Sequence, residues 1–284
     1  MEESRTITRK SASNLALAFV LLPKAKRDGM SALYAFCRQV DDVADDESRP
    51  VEERRARLAG WRADIARACA GDPPQWRVHQ ELQPFIRQHK LPFELFDELI
   101  RGVEMDLDIH RYETFADLER YCYRVASVVG LICIRVFGYR DAAAEALAER
   151  CGVAFQLTNI IRDVGEDAAM GRVYLPQEDL ARFGLSAADL APAALRNGFR
   201  PARLRPLLEF EAERARVLYR AADELLPLVE EDSRPALWVL VEIYRRLLAK
   251  ISARGYDVLG DKVRLSVREK LTVLARGILR RLTA

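Results

Sequence analysis

Residues 34–46 read YAFCRQVDDVADD. Four of these thirteen residues are aspartates, set inside an apolar, helix-forming pattern. Tyr34, Arg38, Asp41 and Asp45 are spaced by four, three and four positions, so on an α-helix they make one stripe. Residues 156–167, QLTNIIRDVGED, repeat the design, with Gln156, Asn159, Asp163 and Asp167 spaced by three, four and four. The flanking runs GVAFQLTNII and VASVVGLICI are strongly apolar, which predicts a helix buried on most sides. Its polar stripe then does not simply face bulk water. A solvated acidic face is the plain reading of DDVADD taken alone, but two such stripes in one chain weigh against it.

Carboxylates held together repel. At about 4 Å the cost is roughly 1 kcal/mol in water and about 4 kcal/mol at an effective dielectric near 20. A buried cluster therefore calls for divalent cations. Oxygen ligands with no nearby His or Cys favour Mg²⁺, which keeps waters and bridges to substrate phosphates. The residues themselves thus predict Mg²⁺ holding a diphosphate.

The rest of the chain narrows the class. Lysine and arginine number 45 against 43 aspartates and glutamates, a net charge of +2 that gives no reason to expect nucleic acid as a partner. Cys37, Cys69, Cys122, Cys133 and Cys151 are odd in number and lack CxxC spacing, so they read as reduced core residues of a cytoplasmic protein. His79, His89 and His110 have no metal-site spacing to one another. Arg5, Arg9 and Lys10 ahead of LALAFVLL mimic a signal peptide, but Glu2, Glu3 and the following PKAKRDG argue against one. No run approaches the roughly 20 apolar residues of a membrane span. Residues 262–281 form a basic helix that could lie on an anionic surface, which predicts reversible, peripheral membrane contact.

Strand signals are nearly absent, and apolar residues recur at three and four positions over long stretches. Helices are expected over 12–21, 25–44, 51–69, 76–88, 92–106, 114–136, 141–166, 176–182, 201–226, 233–254 and 264–282, with an irregular link over 188–206. No composition shift or repeat divides residues 1–284, so one all-α domain is expected.

These motifs resemble the squalene/phytoene synthase family. DDVAD is similar to a first DDxxD-type motif, and NIIRDVGED to the more specific second motif of that branch. The likeness extends through LLPKAKRDGMSALYAFCRQVDD, GVEMDLDIHRYETFADLERYCYRVASVVG and AFQLTNIIRDVGEDAAMGRVYLPQEDLARFG, and more weakly through VEIYRRLLAKISARGYDVL. Within the family the pattern is most similar to the bacterial presqualene diphosphate synthases of the hopanoid route. The resemblance implies an all-α isoprenoid synthase fold around a central apolar cavity. It implies Mg²⁺ on Asp41, Asp42 and Asp45 and on Asp163 and Asp167, with Gln156 and Asn159 on the same helix. It implies diphosphate-binding roles for Arg38 and Arg162 with Tyr34 beside them, and a part in proton removal for Tyr121. Tyr256, Lys262 and Arg264 match loosely where the family completes phosphate binding.

The implied reaction joins two farnesyl diphosphates head to head to presqualene diphosphate, which a downstream enzyme of the hopanoid or squalene route consumes. NADPH enters only if reduction to squalene comes next, and no GxGxxG fingerprint is present. The alternatives are a phytoene synthase acting on geranylgeranyl diphosphate, an NADPH-dependent squalene synthase, and a non-catalytic helical lipid- or membrane-binding protein. SNLALAF departs from the family, with leucines where aromatics are usual and only Phe19 remaining. The loop GEDAAMGRVYLP reads equally as a flap or an ordinary connector.

Overall fold

A computed structural model of the chain describes residues 1–11, 14–195 and 201–283. Among these residues fourteen α-helices succeed one another: α1 (Glu2–Ser11), α2 (Asn14–Phe19), α3 (Lys24–Ala44), α4 (Val51–Ala70), α5 (Arg77–His89), α6 (Phe93–Met105), α7 (Phe115–Cys122), α8 (Val128–Phe137), α9 (Ala143–Ala169), α10 (Gln177–Arg182), α11 (Pro192–Leu195), α12 (Leu204–Leu225), α13 (Arg234–Ala253) and α14 (Val267–Thr283). Among the described residues there is no strand, only the isolated bridges Arg111–Val173 and Tyr139–Val229. No described helix is long and apolar enough to cross a membrane.

The helix ends reflect the local chemistry. Pro23, Pro50 and Pro92 stand immediately before α3, α4 and α6, where a missing N–H costs nothing. Gly71 ends α4 at φ 96°, a conformation that suits a residue without Cβ. Thr114 and Asp117 cap the start of α7 reciprocally.

Two features depart from the periodicity. Helix α1 stands where the sequence shows only a basic arm. It is held by Arg5, which clamps Asp28 of α3 at 2.7 Å, and by Glu81 of α5, which accepts the Ser4 N–H at 2.9 Å. Residues 12 and 13 of the helix expected over 12–21, and residues 196–200 of the expected link, lie outside the described residues. The helix expected over 114–136 is interrupted by a π-turn at Tyr123–Ser127, where the Val128 N–H reaches back to the Tyr123 carbonyl. Two glycines make room for that turn. A Cβ on Gly152 of α9 would stand 2.5 Å from the Ser127 Cα, and one on Gly102 of α6 would stand 2.7 Å from the Arg124 Cβ.

Apolar burial falls into two clusters. One gathers Phe36, Leu58, Ile65, Phe96 and Ile132 from α3, α4, α6 and α8. The other gathers Leu157, Ile161, Leu207, Leu208 and Ile251 from α9, α12 and α13. Helix α3 packs chiefly on α1, α2, α4, α5, α6 and α8, while α9 packs chiefly on α7, α8, α12, α13 and the π-turn. Behind α3, the Asp64 carboxylate accepts the Trp76 N–H and lies 2.7 Å from His79 Nδ1. Phe36, Trp61 and Trp76 surround the His79 ring and fix the buried side of α3. Burial pushes the His79 pKa down, so its ring is neutral.

The glycine contact makes a specific demand. Gly152→Ala should lower stability by about 1–3 kcal/mol, because the added methyl meets backbone rather than a movable side chain. Urea unfolding measures it, and an unchanged midpoint would show that α9 and the π-turn part freely.

Candidate active site

The α3 and α9 stripes share two neighbours: Asp106, which acts on Asp41 and on Asp167, and Tyr244, which lies near Tyr34 and Arg162. Asp41, Cys37 and Tyr244 keep accessible surface although protein encloses them almost completely. Side chains surrounded in this way yet still touched by solvent line a recess. Tyr34 and Cys37 border it from the first cluster; Val129 packs on that same cluster and Val125 on the second. Phe155 and Tyr244 touch both clusters and stack with ring centroids 4.6 Å apart. Tyr244 also meets Asn159 and lies near Arg162 and Tyr34, so it marks the point where the apolar wall meets the polar stripes.

The carboxylates are held against their own charge. Asp41 has its pKa pushed up to about 7, by burial first and then by Asp45, with Arg38 opposing and Asp106 and Asp42 adding. Asp167 is also pushed up to about 7, by burial and then Asp163, with Arg172 and Lys262 opposing and Asp106 adding. Asp106 is thus felt by one aspartate of each stripe. It stands at the C-terminal end of α6, and burial raises its pKa as well. Tyr174 donates to one of its oxygens at 2.7 Å and Tyr121 to the other at 2.9 Å. The Tyr121 and Tyr174 rings stack at 5.2 Å. Burial raises the Tyr121 pKa far enough to keep the hydroxyl protonated. Arg172 reaches the Asp106 carbonyl at 3.4 Å and the Asp45 carboxylate at 3.9 Å, bridging toward the α3 stripe.

Asp163 is flanked by cations. Arg162 Nε lies 2.7 Å away and Lys262 Nζ 2.9 Å away. Gly165 permits this arrangement, since a Cβ there would come 2.8 Å from the Val258 carbonyl in the segment leading to Lys262. Asp42 lies off the stripe, exposed and paired with Arg38 at 2.8 Å. Gln156 accepts from Asn159 at 3.4 Å.

Two of the expected residues stand apart. Tyr256 is buried in the second cluster at φ 60°, and its hydroxyl accepts from Arg216 of α12 at 3.3 Å. Arg264 is exposed, and no described residue of the recess bonds it. The segment after α9, open in sequence to a flap reading, is tied down. Val173 N–H donates to the His110 carbonyl and Gln177 N–H to the Tyr112 carbonyl, both at 2.9 Å. With Arg172 and Tyr174 anchored on Asp106, this is a fixed wall.

Asp106, Arg172, Tyr174 and Tyr244 join the site although helical periodicity singles out none of them. The first three sit at a helix end or in a loop, where periodicity gives no weight to one residue. Their signal is their place within GVEMD and GRVYLP, stretches that carry the family resemblance.

The donor set is all oxygen. Among the described residues, no group of three or more His, Cys, Asp or Glu side chains stands ready to hold a metal. Each stripe instead offers two carboxylates. That suits Mg²⁺, which takes its remaining ligands from water and phosphate rather than from a protein cage.

A family model described as squalene/phytoene synthase matches residues 8–269. The chain is 37% identical over 263 residues to a presqualene diphosphate synthase of Rhodopseudomonas palustris, covering 92% of this chain and 91% of that one. It is 36% identical over 293 residues to a 15-cis-phytoene synthase of Synechococcus elongatus, covering 98% and 92%. A solved dehydrosqualene synthase in complex with ligand matches with TM-score 0.88 at 32% identity, covering 99% and 96%. The squalene synthase HpnC from Alicyclobacillus acidocaldarius matches with TM-score 0.81 at 30% identity, covering 90% and 94%.

The raised acidities have a thermodynamic sign. Folded Asp41 keeps its proton up to about pH 7, whereas an unfolded aspartate loses it near pH 4. Folding then takes up a proton over that range, and the contribution of Asp41 to stability declines as pH rises through it. Glu211 is likewise raised to about 7 by burial, so the comparison must isolate one group. Asp41→Asn should gain thermal stability relative to wild type as pH goes from about 6 to about 8 without divalent metal. A difference in Tm that stays constant across that range refutes the assignment.

Proposed function

The chain belongs to the squalene/phytoene synthase family, and from that premise we propose that it joins two farnesyl diphosphates head to head, yielding presqualene diphosphate and free diphosphate. The observation that carries the reading is the pair of aspartate stripes on α3 and α9, with Asp106 and Tyr244 as neighbours of both. The presqualene diphosphate synthase of Rhodopseudomonas palustris, at 37% identity, supports the choice of product.

In this reading Asp41, Asp42 and Asp45 with Asp163 and Asp167 hold Mg²⁺ jointly with the substrate diphosphate. Bound Mg²⁺ supplies neutralisation of the charge that develops on the departing diphosphate. Arg38, Arg162 and Lys262 add fixed positive charge and donors for the same oxygens. Tyr34, Gln156 and Asn159 orient the diphosphate along the stripes. The allylic carbon left behind meets the double bond of the second substrate between Phe155, Tyr244, Val125 and Val129, where water would quench it and is kept out. Loss of a proton then closes the cyclopropane. Tyr121 suits this step, because it can pass its own proton to Asp106 as it takes one from the substrate. Tyr256 and Arg264 have no part in it.

A second reading, condensation of geranylgeranyl diphosphate to phytoene, is favoured by the 36% identity to the Synechococcus enzyme. The proposal further includes a cytoplasmic location, which the unpaired cysteines fit, and a separate downstream enzyme that consumes the product. It needs no NADPH.

Product analysis with farnesyl and geranylgeranyl diphosphates, with and without NADPH, tests the choice. Farnesyl diphosphate with Mg²⁺ alone should give presqualene diphosphate. A strong preference for geranylgeranyl diphosphate decides for phytoene, and efficient NADPH-dependent squalene formation decides for a bifunctional squalene synthase. Asp41→Ala and Asp163→Ala should each lower kcat by at least about 10²-fold, the scale of losing one strong electrostatic stabiliser. Near-wild-type turnover in either variant would remove the stripes from the mechanism.

A further inference from the structure

Helix α14 presents two apolar faces, and the body of the protein covers only one. Val273 and Gly277 are buried, and Gly277 lies so close to Val239 of α13 and Leu21 that a Cβ would stand 2.4 and 2.8 Å from them. Val267, Leu271, Leu274 and Ile278, spaced by four, three and four, make a second stripe. Val267 is 73% exposed, Leu271 53% and Ile278 44%, with Leu274 half-buried at the border of the packed face. Single exposed apolar residues are ordinary, but a stripe along three turns of one helix is not.

Charge identifies what covers it. Arg268 and Lys270 lie to either side of the stripe, one on each shoulder. The carboxylate within the described part of α14, Glu269, is already engaged: it caps the Ser266 N–H at 2.6 Å and pairs with Lys250 of α13 at 2.7 Å. An apolar stripe between cationic shoulders, with its acid turned inward, matches an anionic lipid surface, with acyl chains beneath the stripe and phosphates at its edges.

We propose that α14 is the face by which this protein docks on anionic membrane. The anchoring is built to hold position. The Ser266–Glu269 cap and the Lys250 pair fix the start of the helix. Only residues 263–266 separate it from Lys262, which bonds Asp163 at 2.9 Å. Docking therefore sets the carboxylate end of the recess beside the bilayer. The inference stands on the surface of the helix and holds whichever prenyl diphosphate is the substrate.

Cosedimentation of the full chain with vesicles tests it, using phosphatidylcholine alone and phosphatidylcholine with about one-third phosphatidylglycerol. At low ionic strength the protein should bind the anionic vesicles and release as salt is added. Leu271→Glu/Ile278→Glu should lower the partition coefficient at least about tenfold, while Val217→Glu, on an exposed valine of α12, leaves it unchanged. Melting curves check the fold, and if the double variant unfolds, Leu271→Gln alone should still lower binding about threefold. Arg268→Gln/Lys270→Gln should weaken binding to anionic vesicles only. Absence of binding at low salt, or equal binding by the stripe variants, overturns the proposal. So does conversion of a dimer to a monomer by Leu271→Glu/Ile278→Glu, which assigns the stripe to a second copy.

Discussion

Negative charge held out of water is the condition to which much of this fold responds. Two carboxylates at about 4 Å cost on the order of 4 kcal/mol at an effective dielectric near 20, far more than the roughly 0–1 kcal/mol a surface ion pair returns. Scattered surface pairs cannot offset that. The chain answers locally instead. Arg162 and Lys262 flank Asp163, Arg172 bridges from Asp106 toward Asp45, and two tyrosine hydroxyls satisfy Asp106. What remains uncompensated shows as the proton retained by Asp41 and Asp167. The site is therefore set to accept positive charge from outside.

That polar end would serve little without the greasy space beside it. The core falls into two clusters, and α9 runs from one to the other: Ala144, Ala148 and Cys151 lie with α3 in the first, while Leu157, Ile161 and Val164, on the stretch that carries the stripe, lie in the second. Phe155 and Tyr244 are shared by both clusters and keep the clusters apart as much as they join them. An all-α chain that closed this gap would gain apolar burial and lose the recess. The helices behind α3, braced by the Asp64–His79 pair and its aromatic surround, hold the stripe in place from the far side.

Much of this is legible in the sequence. The spacing of Tyr34, Arg38, Asp41 and Asp45 and of Gln156, Asn159, Asp163 and Asp167 fixes their faces, because helix geometry is local. The all-helical class comes from the same periodicity. Helix α1 is not legible, since its stability comes from Asp28 and Glu81, far along the chain. Asp106, Tyr174 and Arg172 fall within the motifs but carry no local mark of their own, because their importance lies in meeting one another across 66 and 68 positions. Tyr256 lies apart for the opposite reason: its loop approaches the site while its side chain turns into the core toward Arg216.

The π-turn at Tyr123–Ser127 has a consequence for the helix that contains it. An extra residue per turn is a phase step of roughly 100° between the residues before the turn and those after it. Tyr121 and Val129 are eight positions apart, and in an unbroken α-helix they would lie within about 80° of one another. With the step between them that angle falls to about 20°, so the tyrosine that reaches Asp106 and the valine two turns on share one face. A deletion of one residue would restore regular winding, and with it turn the two ends about 80° apart. The interruption thus works as a swivel frozen at one setting, and Gly102 and Gly152 are the bearings that leave it room.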